Sequence, residues 1–342
     1  MDIMTTKNKN IVVTGVCGLI GSHLAEKLIN EGHSVIGIDD LSFGILDNIQ
    51  NIQELDNFKF IKHDLKNPIN DILDNTNIDV IYHLAAFKKA PPSKSTYREG
   101  SDNLLKTSCN DVMINNTKMM ETIINFIQKN NSNIKLIYTS SSDVYHNHDD
   151  FKETSSVVFG PPTIERYSYA LSKWFEEQLV MNACNEKSID ASIARIFGCY
   201  SERCKIGWSA GHILIFIDKA LKGEDIIIHG NGLQTRSMSH VFDIVNGLIG
   251  MLNNFDKVNG EILNLGSAEE VTILDSAKLI INTLNSTSKI KFIEAEEVHG
   301  KGYVDIQRRY ADTTKAKKLI DYKTTITLKE GIKKTIENYK ND

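Results

Sequence analysis

The sequence predicts an α/β protein in which a doubly wound parallel sheet is joined to a smaller mixed C-terminal lobe. Short apolar, β-branched runs alternate with amphipathic segments of helical period through the first 200 residues. A glycine-rich stretch connects the first of these runs to the first helical segment. After residue 198 the alternation gives way to an irregular pattern with scattered short elements. We therefore assign residues 8–197 and about 235–265 to the sheet domain, and residues 198–234 and about 266–340 to the lobe.

The elements of the sheet domain follow one another in βαβ order. Strands are predicted at 11–13, 34–38, 58–61, 80–83, 134–138 and 191–197, and helices at 19–30, 113–128 and 169–184. Residues 88–110 interrupt this order with prolines and polar residues. We expect that segment to be a mobile loop over the site or a disordered insertion.

Composition and charge exclude several classes of protein. The chain has 342 residues and a formal net charge of -5, and its lysines are spread out, which disfavours nucleic-acid binding. No apolar run approaches the length of a membrane span, and the polar first ten residues lack the apolar core of a signal peptide. The five cysteines include no CxxC pair, which argues against a disulfide framework or a metal site. These features predict a cytoplasmic protein that binds neither membrane nor metal.

The glycine-rich stretch TGVCGLIGSH has the spacing of a dinucleotide-binding turn. Glycines between a strand and a helix let the backbone approach a pyrophosphate, and the helix N-terminus offers it free N–H groups. The second strand ends at Asp39, 18 residues after Gly21, where a carboxylate accepts hydrogen bonds from ribose hydroxyls and repels a 2′-phosphate. The sequence therefore predicts NAD as the cofactor. The cofactor contacts predicted for this region are Gly15, Gly18, Leu19, Ile20, Gly21, Asp39 and Asp40.

A second group of residues has the pattern of a general base. Tyr169 and Lys173 are four residues apart on a predicted helix and so share one face. An ammonium group beside a phenol stabilises the phenolate, and we expect it to lower the phenol pKa toward neutrality. The stretch YTSSSDVYH follows a predicted strand, at the sheet edge where α/β proteins bind ligands. An exposed i,i+4 pair explains the YxxxK spacing alone equally well, but the combination with the glycine motif is specific.

Together these motifs resemble the extended short-chain dehydrogenase/reductases that act on nucleotide sugars, a family with the Rossmann fold. The resemblance extends from about Asn10 to Asn338 and includes HLAA, YSYALSK, ARIFG, GNGLQTRSMSHVFDIV and NLGSAEEVTI. It implies a transient 4-keto sugar formed by NAD, and a homodimer built on the helices around 113–128 and 169–184. The implied catalytic residues are Ser141, Tyr169 and Lys173, and Arg236 is implied to bind the substrate diphosphate. The further cofactor contacts implied are Asp64, Leu65, Ala85, Ala86 and Lys88.

The residues after the catalytic serine distinguish the branches of this family. The 4,6-dehydratase branch has Asp then Glu there, whereas this chain has Ser142 and Asp143, which disfavours dehydration, although Asp143 is a shorter substitute for the glutamate. The UDP-glucuronate decarboxylase branch has Ser then Glu, and GKGYVDIQRRYAD also resembles that branch, with Arg309 at its functional arginine. The 4-epimerase branch requires least of these two positions, because only its serine, tyrosine and lysine take part in proton transfer. The sequence thus favours an NDP-sugar 4-epimerase, with UDP-glucuronate decarboxylase and NDP-sugar 4,6-dehydratase as alternatives.

Two positions depart from the family pattern. Met113 stands where an asparagine normally supports the helix near the site, and Gly198 replaces an asparagine that contacts the substrate. These departures suggest altered substrate recognition, and they motivate the alternative of a non-catalytic NAD-binding protein. Retention of Ser141, Tyr169 and Lys173 argues against that alternative. A keto-sugar reductase that consumes NADPH is disfavoured by Asp39.

Overall fold

A computed structural model describes residues 8–73, 76–88, 109–130, 133–146, 148, 150–157, 159, 167–204, 211–299 and 305–339. Its strands are β1 (Asn10–Thr14), β2 (Ser34–Asp39), β3 (Phe58–Lys62), β4 (Val80–His83), β5 (Lys135–Ser141), β6 (Asp190–Ile196), β7 (Cys199–Tyr200), β8 (Ile226–His229), β9 (Thr235–Ser237), β10 (Ser239–His240), β11 (Ile262–Leu265), β12 (Glu270–Thr272), β13 (Ile290–Ile293) and β14 (Arg308–Arg309). Its helices are α1 (Leu19–Asn30), α2 (Cys109–Lys129), α3 (Ser168–Asn185), α4 (Gly211–Leu221), α5 (Val241–Asn253), α6 (Phe255–Val258), α7 (Ile273–Leu284), α8 (Ala295–His299), α9 (Thr314–Ile320) and α10 (Leu328–Tyr339).

The predicted doubly wound sheet is confirmed. Seven strands lie in the order β11-β6-β5-β4-β1-β2-β3, and every neighbouring pair in that sheet is parallel. From β1 the strands are added toward one edge as β2 and β3, and from β4 toward the other edge as β5, β6 and β11, so the loops that follow β1 and β4 diverge. The crevice between such loops is where open α/β sheets bind their ligands.

The sheet is buried on both faces, which explains why its strands are continuous apolar runs. Along β1, Ile11 and Val13 join one apolar cluster with α1 and α5, while Val12 joins the other with α2 and α3. Each buried aliphatic side chain of this kind contributes about 1.5–3 kcal/mol. The strand period of two therefore places a helical layer on each face.

The second part of the chain contains more helix than its sequence suggested. We expected scattered short elements after residue 198, but α4, α5, α7 and α10 have 11 to 13 residues each. Helix α4 is apolar over much of its length (GHILIFIDKAL), which hides its helical period. It packs with α7 and α10 around a third apolar cluster, beside the small sheets β13-β8 and β12-β9-β14.

The division of the chain into two domains stays a prediction. Strand β11 completes the large sheet and α5 packs near α1, as the assignment of 235–265 requires. Ala316 and Ile320 of α9 also pack in that first cluster, although they belong to the segment that we assigned to the lobe. Most of the predicted loop at 88–110 lies outside the described residues. None of the described helices is both long and apolar enough to cross a membrane.

Candidate active site

The glycine turn after β1 has the close packing that a dinucleotide site requires. Gly15 has a φ of +68°, and a Cβ there would lie 2.9 Å from the Cα of Ala85. A Cβ on Gly21 would lie 2.2 Å from the carbonyl oxygen of Gly15. Gly18 precedes α1 without a side-chain cap, so the first N–H groups of the helix, including those of Leu19 and Ile20, are available to an anion. The turn therefore fits the pyrophosphate of a dinucleotide.

Asp39 is fixed beside this turn at the end of β2. Its carboxylate accepts hydrogen bonds from the backbone N–H groups of Cys17, at 3.0 Å, and Leu41, at 2.9 Å. Burial raises the pKa of Asp39, and these two hydrogen bonds partly oppose that rise. Asp40 instead accepts hydrogen bonds from the N–H and hydroxyl of Ser42, at 2.8 and 2.6 Å. The position of Asp39 agrees with its predicted role at the ribose, which stays a prediction.

The remaining predicted cofactor contacts differ in their surroundings. Leu65 is only 3% exposed and packs in the core, so little of its side chain is available to an adenine. Asp64 forms an ion pair with Lys66 at 3.3 Å. An aromatic pair that the sequence analysis did not single out lies nearby: Phe43, after β2, contacts Phe87, after β4, edge to face at 5.5 Å. Because β1 lies between β2 and β4, this pair bridges the two loops that flank the glycine turn.

The structure brings the predicted catalytic residues together. Ser141 ends β5 and its hydroxyl accepts a hydrogen bond from the N–H of Asp143 at 3.1 Å. Tyr169 lies in the first turn of α3, which packs against β5 and the 3₁₀ turn Ser142–Tyr145. A hydrogen bond with Ser141 favours the ionised phenol of Tyr169, although burial outweighs it and raises the pKa of this group.

The expectation that Lys173 lowers the pKa of Tyr169 toward neutrality is wrong, because the surroundings of the phenol raise this pKa. Burial raises this pKa above its ordinary value, and the negative charges of Asp143 and Glu176 raise it further. The ammonium group of Lys173 is 2% exposed, donates to the carbonyl of Thr139 at 3.3 Å and lies 3.5 Å from Glu176. Lys173 is thus paired with a carboxylate that the sequence analysis overlooked, which reduces the positive potential it exerts on the phenol.

Two cations surround the carboxylate of Asp143. Arg309, on β14, forms an ion pair with one oxygen of Asp143, and the Nζ of Lys88 lies 3.9 Å from the other. Lys88 also lies above the Tyr169 ring, 5.0 Å from its centroid. The Nε of Arg309 is buried and has no hydrogen-bond partner among the described residues. Among the described residues, Arg309 and Lys88 therefore bring two positive charges to the single negative charge of Asp143, close to the Tyr169 ring.

Arg236 lies next to this cluster because β9 and β14 are paired. Arg309 is in register with Arg236 across the two parallel strands. The Arg236 guanidinium donates to the carbonyl oxygens of Thr235 and Ile306, at 2.8 and 2.7 Å, and lies 3.3 Å from Asp305. These contacts orient the guanidinium before any ligand arrives. Ser142, by contrast, is buried, with 3% of its surface exposed.

The two departures from the family pattern have structural explanations. Met113 is 38% exposed, and the support expected from that position comes from Asn116, one helical turn later. The fully buried Asn116 side chain accepts from the N–H of Phe87 at 2.7 Å and donates to Phe87 O and Ser172 Oγ, at 3.0 and 2.9 Å. At Gly198, a Cβ would lie 2.6 Å from both the sulfur of Met238 and the carbonyl oxygen of Ser237, so an asparagine does not fit.

Comparisons with known proteins agree with this geometry. The sequence profile of the family described as GDP-mannose 4,6 dehydratase matches residues 12–335. The UDP-N-acetyl-alpha-D-glucosaminuronate decarboxylase of Bacillus cytotoxicus is 32% identical over 333 residues, which cover 96% of this chain and 97% of the relative. The UDP-glucuronic acid decarboxylase 1 of Danio rerio is 31% identical over 97% of this chain and 72% of its own length. The solved UDP-glucuronic acid 4-epimerase of Bacillus cereus, in complex with UDP-glucuronic acid and NAD, is 25% identical, covers 97% of this chain and 99% of that one, and has a TM-score of 0.76.

Proposed function

Because the chain belongs to the GDP-mannose 4,6-dehydratase family of nucleotide-sugar enzymes, we propose that it is an NAD-dependent decarboxylase of UDP-linked uronic acids. The resemblance stated from the motifs is confirmed, and the protein is an enzyme of this family. The relatives at 32% and 31% identity are both decarboxylases. They favour decarboxylation over the 4-epimerase reaction that the sequence alone placed first.

The observation that carries this proposal is the excess of positive charge beside Tyr169. A uronic acid brings a carboxylate on C5, which the site must hold until it leaves as carbon dioxide. Arg309 and Lys88 are both directed at Asp143, two residues after Ser141, and the buried Nε of Arg309 has hydrogen-bonding capacity to spare. A guanidinium binds a carboxylate through a planar fork of N–H groups. A neutral hexose needs no such pair of cations.

The cofactor of this enzyme is NAD, and the residues of the glycine turn fit it. In this proposal, Gly15, Gly18 and Gly21 allow the backbone to approach the pyrophosphate, and Asp39 accepts hydrogen bonds from the ribose hydroxyls. NAD supplies a hydride acceptor for the sugar C4 and returns the hydride at the end, so the reaction is redox-neutral overall.

The protein residues manage protons and charge around this oxidation. Tyr169 takes the proton of the C4 hydroxyl when it is ionised, a form that its hydrogen bond with Ser141 favours and its burial disfavours, and the Ser141 hydroxyl hydrogen-bonds the same sugar oxygen. The 4-keto uronate is a β-keto acid, so its C5–C6 bond breaks, C6 leaves as carbon dioxide, and the electron pair forms an enolate across C4 and C5. Arg309 and Lys88 stabilise the negative charge before and after that cleavage. Asp143 orients both cations and is the candidate acid/base group for protonation at C5.

A comparison of two adjacent arginines tests this proposal. Arg309→Gln removes the mostly buried cation that pairs with Asp143, whereas Arg308→Gln removes a half-exposed arginine whose guanidinium forms two 2.8 Å hydrogen bonds with Glu270. We expect Arg309→Gln to lower the release of ¹³CO₂ from UDP-[6-¹³C]glucuronate and from UDP-N-acetyl-[6-¹³C]glucosaminuronate by about 100-fold or more. Loss of one hydrogen-bond donor that stabilises a developing negative charge has an effect of this size. Arg308→Gln should remain within about threefold of the wild type. Equal effects of the two substitutions contradict the assigned role of Arg309.

A 4-epimerase of UDP-uronic acids is the second candidate function. It is favoured by the similarity to the Bacillus cereus 4-epimerase that was solved with UDP-glucuronic acid. The same cations serve a reaction in which the carboxylate is bound and retained. Retention of the ¹³C label in UDP-galacturonate, with no carbon dioxide released, identifies this alternative.

We also propose that the enzyme is a homodimer that associates through α2 and α3. These two helices pack against each other, and between them they expose the large apolar side chains of Met113, Ile114 and Phe175, of which Ile114 is 65% exposed. Large apolar side chains that share a surface are typical of an interface. We likewise propose that the enzyme is cytoplasmic and that its chain divides into the sheet domain and the lobe assigned above.

A further inference from the structure

Glu176 is a buried carboxylate that the proposed mechanism has not used. It lies on α3, three residues after Lys173, and it is fully buried, with 0% of its surface exposed. Neither of its carboxylate oxygens has a hydrogen-bond partner among the described residues. The next residue, Glu177, differs completely, because it forms two hydrogen bonds with Arg195, at 2.7 and 2.9 Å. The Glu177 carboxylate therefore has an arginine partner, whereas the Glu176 carboxylate interacts with the buried Lys173 ammonium group and the Tyr138 hydroxyl.

The Nζ of Lys173 lies 3.5 Å from the Glu176 carboxylate. Burying an ammonium group disfavours its charged form, and burial accordingly lowers the pKa of Lys173, while Glu176 opposes this effect. Burial of a single charge carries a large desolvation free energy, and two opposite charges that are buried together offset part of it by their attraction, so that both stay ionised. The pair is thus a neutral unit in the protein core, on the helix that carries Tyr169.

We propose, on the basis of the function proposed above, that Glu176 is a positioning residue of the active site. It keeps Lys173 protonated in the core and sets the pH range in which Tyr169 accepts a proton from the sugar. Glu176 does not touch the sugar, and it acts through Lys173.

The direction of the effect follows from the sign of the charge. A negative charge raises the pKa of every group near it, so removal of the Glu176 charge lowers the pKa of both Lys173 and Tyr169. The acidic limb of the rate profile, where Tyr169 gains its proton, and the basic limb, where Lys173 loses its proton, therefore both move to lower pH. The other titratable groups that face this unit are His83 on β4, Tyr138 on β5, Asp143 in the 3₁₀ turn, Glu177 on α3 and Lys88 after β4. These groups are the same in the wild type and in the Glu176 variant.

The test uses the NAD-loaded enzyme with Glu176→Gln, which keeps the shape of the side chain and removes its charge. We expect the kcat profile to move to lower pH by about half a pH unit or more on both limbs. Glu176→Asp, which retains the charge, should keep the wild-type position of the profile with a lower kcat. Val180→Ala, at a fully buried position on the same helix, controls for loss of packing, and Glu186→Gln, at the exposed end of α3, controls for a distant charge. Neither control should move the profile.

A second measurement does not depend on the sugar. In the NAD-loaded enzyme with ¹³Cζ-labelled tyrosine, the resonance that disappears in Tyr169→Phe reports the ionisation of Tyr169. Its midpoint should lie at lower pH in Glu176→Gln than in the wild type. An unchanged midpoint overturns the role of Glu176 even if uronates are turned over. A shifted midpoint together with no turnover of any UDP-uronate supports Glu176 and rejects the proposed reaction instead.

Discussion

At the scale of single residues, the proposed mechanism assigns the proton transfer to Tyr169, which differs from phenylalanine by the reacting oxygen alone. Tyr169→Phe keeps the ring that packs beneath Lys88 but removes the base. We expect kcat to fall by about 10² to 10⁴-fold, the usual contribution of a general base. NAD binding, followed by calorimetry, should change little. Wild-type turnover in this variant would show that another group takes the proton.

The sequence reveals only part of this arrangement of residues. Tyr169, Lys173 and Ser141 follow from local patterns, namely a helical spacing and a strand end. The contact between Asp143 and Arg309 joins residues 166 positions apart, so no local pattern reveals it. The direction of the Tyr169 pKa shift was also beyond sequence reasoning, because it depends chiefly on burial and on the charges of Asp143 and Glu176.

At the scale of secondary-structure elements, Asn116 ties α2 to α3 and to the loop after β4. Asn116→Leu leaves the N–H and carbonyl of Phe87 without their side-chain partners, and each buried unsatisfied group costs about 1–3 kcal/mol. We expect denaturant unfolding to show a loss of about 2–4 kcal/mol in the free energy of unfolding. The kcat should also fall, because Asn116 holds Phe87 and Ser172 in place, and these two residues directly precede Lys88 and Lys173 of the site.

Asn115→Leu provides the matched comparison for that prediction. Asn115 is half-buried on the same turn of α2, and we expect its replacement to change the free energy of unfolding by less than about 0.5 kcal/mol. Equal losses at the two positions would show that the hydrogen bonds of Asn116 are not what joins these elements.

The elements of the sheet were predictable, and those of the lobe were much less so. Helix α1 and strand β4 begin and end where the apolar pattern predicts them, because Gly18 and Glu31 flank the helix and Asp79 precedes the strand. Helix α4 was missed because its apolar residues form a nearly continuous run. Asn116 was missed because the family pattern directed attention to Met113, one turn earlier.

At the scale of the whole molecule, buried neutral histidines make stability depend on pH. Burial, followed by the charge of Lys173, lowers the pKa of His83 to about 3, and burial lowers that of His240 to about 4. Below a pH of about 6.5, these histidines are protonated in the unfolded chain but stay neutral in the folded chain. The free energy of unfolding therefore falls as the pH decreases from about 6.5 toward 4. Each histidine contributes a slope of up to about 1.4 kcal/mol per pH unit.

Urea unfolding at pH 7.5, 6.5 and 5.5 measures this dependence. We expect the free energy of unfolding to decline between pH 6.5 and 5.5, and the decline to be smaller in His83→Gln. A free energy of unfolding that stays constant over this range contradicts neutral burial of these side chains.

The proposed dimer predicts that charges on the outer surface of α2 and α3 separate the subunits. Ile114→Lys or Phe175→Glu places a charge among apolar side chains, and sedimentation at micromolar concentration should then show a monomer. Leu233→Lys is the control, because Leu233 is equally prominent, at 61% exposed, but lies in the turn between β8 and β9. Monomeric wild-type protein rules out the interface directly.

The most direct test of the central claim is the fate of hydrogen and carbon when the NAD-loaded enzyme acts on UDP-glucuronate in D₂O. Loss of C6 from a 4-keto intermediate requires a new bond between C5 and a solvent-derived hydrogen, while the hydride returned to C4 comes from the substrate itself. The account therefore predicts a UDP-pentose with one deuterium at C5 and protium at C4, together with one equivalent of carbon dioxide, by NMR. A UDP-uronate product that retains its carboxylate and carries no deuterium at C5 would contradict it.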